Sequence, residues 1–281
     1  MDKQLLKIKN ALDRLYKKYN HKEFIKPDPL QFVYRYSKKN DKEIVAFLSA
    51  ALAYGKVEQI EKDITKLLSL FGDSPHEFVE NFNRQKKNCL KNFKHRFTTG
   101  DDIADMLELL QRVLSEYGTI EKFFVCGYRP CDKNIIPALS KFCSGLLEIH
   151  EKKHKGSVNK GLAYLLADPA KGSVCKRLNL FLRWVVRADE VDTGLWKKID
   201  KAKLIVPVDV HMARLCRILG FYNSKTITLK TALKITEGFA EIEPDDPVKY
   251  DFALSRVGII ENCTGKKRAK CLDCQLLEFC K

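Results

Sequence analysis

The sequence contains no run of eighteen apolar residues, and its start, MDKQLLKIKNALDRLYKKYN, is an amphipathic charged helix without the apolar stretch of a signal peptide. These absences predict a soluble, cytoplasmic chain that does not meet a membrane. Strand-like alternation bounded by turn residues is nearly missing, which argues against the all-β classes. Internal repeats and low-complexity linkers are missing too. Six of the ten cysteines, Cys89, Cys126, Cys131, Cys143, Cys175 and Cys216, have no ligand spacing. In a reducing compartment a disulfide framework is not expected from them.

What is present is helical periodicity on a chain of 281 residues, long enough for one large core or two lobes sharing a cleft. The expected fold class is all-α. One apolar pattern runs from a start signal at Asp41 to a stop at Gly72. Another begins at Asp101 or Asp102 and ends at Gly118, and SKFCSGLLEIHEKKH forms a third helix. A long helical stretch breaks at Pro169, and later helices are expected near 208–219, 229–240 and 246–258. Lys plus Arg number 51 against 36 Asp plus Glu, a net charge of +15. Such a surplus suits a polyanionic partner, since each neutralised phosphate releases counterions, although a surplus of lysine also serves solubility alone. The basic run RQKKNCLKNFKHRF is read as a solvated helix face.

The other four cysteines crowd the tail as Cys263-x7-Cys271-x2-Cys274-x5-Cys280. A structural zinc site usually joins two close pairs, and only Cys271 and Cys274 make one here. A [4Fe–4S] cube takes one thiolate per iron and can be wrapped by a short continuous run. The cluster is therefore the expected cofactor, with zinc as the alternative. Lys266, Lys267 and Arg268 fall between the first two cysteines and would form a cationic knob suited to a phosphate backbone.

A second pattern lies in LIVPVDVHMARLCRILG. Pro207 pins an extended approach, Asp209 is placed as N-cap, and a helix follows to Gly220. Capping and chemistry are compatible at Asp209, because a helix N-terminus favours negative charge. A fixed carboxylate can stabilise the positive charge that develops on a sugar when an N-glycosidic bond breaks, or activate the attacking group.

With both patterns on the page, the chain resembles the helix-hairpin-helix superfamily of base-excision DNA glycosylases, of the endonuclease III kind. The cysteine tail is similar to its iron–sulfur loop with one extra residue in the first gap, and PVDVHM is similar to the phrase carrying its essential aspartate. The phrases CKRLN-FLRW and VD-GLW resemble an uncharacterised bacterial subfamily of it. The resemblance implies two helical lobes: a central barrel over 40–190 with a modified hairpin, and a cluster lobe from 1–39 and 191–281. It further implies a monomeric, nucleoid-associated glycosylase with Asp209 catalytic, acting on DNA, with or without lyase activity.

The hairpin corresponds to DPAKGSVCKR, where Lys171, Gly172 and Ser173 would meet a DNA phosphate, but Ala170 and Val174 depart from the family's glycine and lysine. A lyase needs an amine to attack the sugar carbon, and Lys176 beside Arg177 is the nearest one. Arg177, together with His211 and Arg214 on the helix after Asp209, completes the expected DNA contacts. Arg183 and Arg187 share a helix direction with Lys176, which makes a cationic stripe or an ordinary solvated face. The family's gap-filling glutamine is Ala51 here, leaving Tyr54 or Lys56 for that work. The competing readings are a non-catalytic binder of DNA or RNA on the same scaffold and a cluster-based redox sensor on DNA.

Overall fold

The computed structural model describes residues 2–154 and 156–280. Helix α1 (Lys3–Tyr19) is capped by the Asp2 carboxylate, which accepts from Gln4 N at 2.7 Å, and buries Ile8, Ala11, Leu12, Leu15 and Tyr19. The pattern from Asp41 to Gly72 is two helices, α2 (Lys39–Ala51) and α3 (Val57–Ser69). The chain turns between them at Gly55, whose φ of +108° suits a residue without Cβ. The Arg96 side chain also fills the space beside it, 2.6 Å from where a Cβ would stand. Asp41 is not the cap of α2. It is buried in the first turn and accepts from Ser74 Oγ and His76 N, both at 2.9 Å, which ties α2 to α4 (Pro75–Glu80).

The basic run forms the short α5 (Arg84–Cys89) and then a hairpin of β1 (Lys94–His95) and β2 (Thr98–Thr99), with Lys94 opposite Thr99 and His95 opposite Thr98. Helix α6 (Gly100–Tyr117) is capped by Thr99 rather than by Asp101 or Asp102. Asp102 completes a capping box, accepting from Thr99 N at 2.7 Å, and Gly118 ends the helix with φ +81° as its sequence predicts. Then come α7 (Ile120–Val125), α8 (Ile136–Lys153), α9 (Lys160–Leu165) and α10 (Lys176–Val186). The last three are α11 (Val210–Ile218), α12 (Leu229–Ala240) and α13 (Asp251–Ile259). Helix α13 starts later than its periodicity suggests; Pro247 disfavours helical backbone at Asp246, whose carboxylate accepts from Arg187 Nε at 2.9 Å. The all-α expectation holds for the described residues, the two-stranded hairpin being their only sheet.

Helix α2 packs along α10 and the 3₁₀ segment Pro29–Arg35, while α13 packs against both α1 and α11. Phe47 of α2 meets Phe181 of α10 edge-on at 5.2 Å, and Phe181 meets Trp196 at the same separation. Trp196 is a core residue. Its indole donates to the buried Glu43 carboxylate at 2.7 Å, and Glu43 also accepts the Ile120 and Glu121 N–H groups at the start of α7. Satisfying a buried carboxylate with three donors is what lets it persist in an apolar layer.

Helix α10 departs most from its sequence reading. Arg183 and Arg187 are 1% and 2% exposed, so they form neither a solvated face nor a cationic stripe toward DNA. Arg183 pairs with Asp192 and Asp251, and Arg187 with Asp189, Asp192 and Asp246. All four aspartates lie outside α10. The helical wheel of α10 alone carries no trace of them.

Candidate active site

Helices α10, α11 and α13 and the turn after α2 enclose a cleft of about 530 Å³, within the range of ligand pockets. Asp209, Lys176 and His211 all line it, so the structure brings the sequence-predicted pair of carboxylate and amine to one opening. Asp209 is the N-cap of α11; its Oδ1 accepts from His211 N and Met212 N, both at 2.9 Å, while Oδ2 takes no hydrogen bond from the described residues. Lys176 opens α10 directly after Cys175, which is held at φ +50°, a strained angle for a non-glycine residue. Its Nζ donates to Ala53 O at 3.3 Å and makes no ion pair among the described residues.

Close contact between α11 and α13 sets the floor. Gly258 faces His211 with no room for a side chain, since a Cβ there would stand 2.8 Å from His211 Cβ. This approach brings the start of α13, and with it Asp251, beneath Asp209. Burial pushes the Asp251 carboxyl up to about 6 against the pull of Arg183, and the charge of Asp209 adds to the rise. Arg256, fully buried, closes the same floor by donating to the Phe24 carbonyl at 3.0 Å and to Asp28 Oδ2 at 3.2 Å. Two polar atoms of cleft residues are buried with no protein partner: Arg183 Nη2 and His211 Nδ1.

Asp251, Arg183 and Arg256 were not legible as site residues. Asp251 carries the one usable signal, an acidic residue at a helix start just upstream of the cysteine tail. Phe97 was missed as well. It is 71% exposed at the hairpin tip, next to Arg96, whose side chain lies against the cleft residue Gly55.

The expected DNA contacts are dispersed. Lys171 and Gly172 are exposed and Ser173 is half-buried in the turn before α10, with Gly172 at φ +85°. Arg177 is engaged internally: it donates to Ala51 O at 2.9 Å and to the Tyr164 carbonyl, and its guanidinium lies 4.3 Å from the Tyr164 ring centroid. Arg214 donates to Cys263 O at 2.6 Å and so braces the cysteine loop from α11. Lys266, Lys267 and Arg268 are exposed on that loop. Tyr54 lines the cleft but its hydroxyl is bound to His95 O at 2.9 Å and Thr98 Oγ1 at 2.7 Å; Lys56 is exposed and Ala51 is buried.

Cys263, Cys271 and Cys274 line a smaller hollow of about 280 Å³. Burial pushes the Cys280 thiol up, and the charges of Cys263, Cys274 and Cys271 add to the rise. No three of them gather to within 4.8 Å, the spacing at which they would converge on one ion.

A sequence model of one family, described as "Protein of unknown function (DUF2400)", matches residues 28–260. The chain belongs to the DUF2400 family. This corrects the resemblance drawn from the motifs: no glycosylase family matches, and a cysteine tail plus one aspartate phrase cover too little of the chain to define membership. The DUF2400 match takes in every residue of the cleft except Pro27 and stops short of the cysteine loop. No curated protein and no solved structure matches the chain. No helix among the described residues is long and apolar enough to cross a membrane.

Proposed function

We propose that this DUF2400 protein binds DNA across the cleft and breaks the N-glycosidic bond of a base turned out of the duplex. The observation that carries the reading is the cleft itself: Asp209 and Lys176 line it together, over a floor closed by Arg183 and Arg256. Both bonds to the Asp209 carboxylate fall on Oδ1. Oδ2 is the oxygen free to face a sugar that becomes cationic as the base departs, or to take the proton of an attacking water. Lys176 is the amine that would attack the same carbon in a lyase step, forming a Schiff base in place of the hydrolytic product.

Turning out a base costs a few kcal/mol and calls for a group to fill the gap. Phe97, exposed at the hairpin tip beside the cleft mouth, is suited to that work. The surplus of +15 and the exposed Lys171, Lys266, Lys267 and Arg268 would hold the phosphates. Cys263, Cys271, Cys274 and Cys280 would hold a [4Fe–4S] cluster, whose contribution is structural, fixing the basic loop in one shape.

The test is to incubate anaerobically purified protein with oligonucleotides, single- and double-stranded, carrying uracil, 8-oxoguanine, hypoxanthine, alkylated bases or abasic sites. Release of one base is expected. Asp209→Asn should lower it at least ~100-fold with binding retained, and Lys176→Ala should remove borohydride trapping on abasic DNA. Phe97→Ala should slow paired substrates more than single-stranded ones. Tight, salt-sensitive binding without base release from any substrate would replace the enzyme by a non-catalytic binder.

A further inference from the structure

A second cluster lies away from the cleft, on α6 and α8, neither of which contributes a residue to it. His150, in the last turn of α8, and His154, its C-cap, are four residues apart and so share a helix face. Their rings stack with centroids 4.2 Å apart. Asp105 of α6 faces them, and one ligand-capable atom from each of the three lies within 4.8 Å of the others, the only such group among the described residues. His150 is 4% exposed, and His154 Nε2 is buried without a hydrogen-bond partner. An imidazole nitrogen left unpaired inside a protein calls for a reason, because its desolvation is otherwise uncompensated.

We propose that Asp105, His150 and His154 form a binding site for a divalent transition-metal ion of the zinc class. Two imidazoles and one carboxylate select such an ion over magnesium or calcium, which take oxygen donors. Three protein ligands leave a fourth position for water or a small ligand, and Asp105 and His150 border a cavity of about 450 Å³ that can supply it. The outer layer is built as well. Asn159 Nδ2 donates to Asp105 Oδ2 at 2.8 Å, orienting the carboxylate from the start of α9. Lys87 stands 3.9 Å from Asp105 Oδ1 and 3.8 Å from Glu108 Oε1; its side chain is 36% exposed and can swing onto Glu108, which Lys153 also binds. An ion here would pin the end of α8 to α6.

The test uses the full chain, dialysed to equilibrium against Zn²⁺ and assayed for bound metal, with Co²⁺ as a second probe for its ligand-sensitive absorption. Wild type should hold one equivalent more than His154→Gln, a variant at a helix end that leaves the core untouched, and one more than the isosteric Asp105→Asn. Asn159→Ala should keep the equivalent at roughly 10- to 100-fold weaker affinity. With Co²⁺ the lost equivalent should show no thiolate charge-transfer absorption, which separates it from metal on the cysteine loop. Equal stoichiometry in wild type and both variants, or a thiolate band on the lost equivalent, would overturn the proposal.

Discussion

The floor of the cleft and the cysteine loop handle their reactive groups in opposite ways. On the floor the two buried guanidiniums form ion pairs within the chain, Arg183 with Asp192 and Asp251 and Arg256 with Asp28. On the loop the four thiols are half-buried and make few contacts among the described residues: Cys271 reaches the Lys266 carbonyl at 4.0 Å, and Cys274 meets the Leu276 backbone. A site whose charges are paired within the chain keeps its shape once the chain has folded. One whose donors face each other without satisfaction is finished by something added. On the proposed function, the cleft would receive a visiting ligand and the loop would keep a resident one.

The largest effect that tests this contrast is Arg183→Leu. It strands Asp192 and Asp251 in a buried setting, and we expect a loss of about 3–5 kcal/mol in urea unfolding. A loss under ~1 kcal/mol would mean that the floor is looser than its ion pairs imply.

Asp251 sharpens the contrast through pH. Its carboxyl sits at about 6 in the folded chain against an ordinary 3.8, so between those values the folded state holds a proton that the unfolded state has released. That contribution is complete below about pH 4 and lost as pH rises through about 6. Stability of wild type minus that of Asp251→Asn should therefore fall by at most about 3 kcal/mol over that window. A flat difference would show that Arg183 alone sets the proton on Asp251.

The smallest effect on the bare polypeptide is expected at Cys274→Ser. In metal-free protein we expect a change within about 0.5 kcal/mol, but iron content after anaerobic purification should fall to background, together with any chelator-sensitive part of the melting temperature. Cys126→Ser, exposed and far from ligand spacing, should leave iron unchanged. A cysteine loop whose stability ignores both iron and chelator would erase the distinction between the two regions.

What the sequence made readable follows from the range of the interactions. Gly118, the cap at Asp209 and most helices are set by contacts a few residues apart, and those were legible. The break at Gly55 was not, because the apolar period of α2 runs on into α3 and the turn is fixed by Arg96 from another element. Arg183 and Arg187 misled for the same reason: a wheel of α10 shows two cations on one side and cannot show aspartates arriving from Asp192, Asp246 and Asp251. The candidate site was half legible. Asp209 and Lys176 stand in short phrases, whereas Asp251 and Phe97 gain meaning only from where the fold puts them. The family misreading had a related origin, since two local phrases stood in for the whole chain.

Helix α1 holds to α13 in part through Tyr250, whose hydroxyl reaches the Asp13 carboxylate at 2.6 Å across 237 residues of sequence. Helix α1 therefore waits for α13, made more than two hundred residues later, to cover part of its apolar face. The same late arrival brings Asp251 under Arg183 and closes the cleft. A chain made only as far as α10 thus carries Lys176 without Asp251 and Arg256 beside it, and the cleft is complete only once α13 has been added.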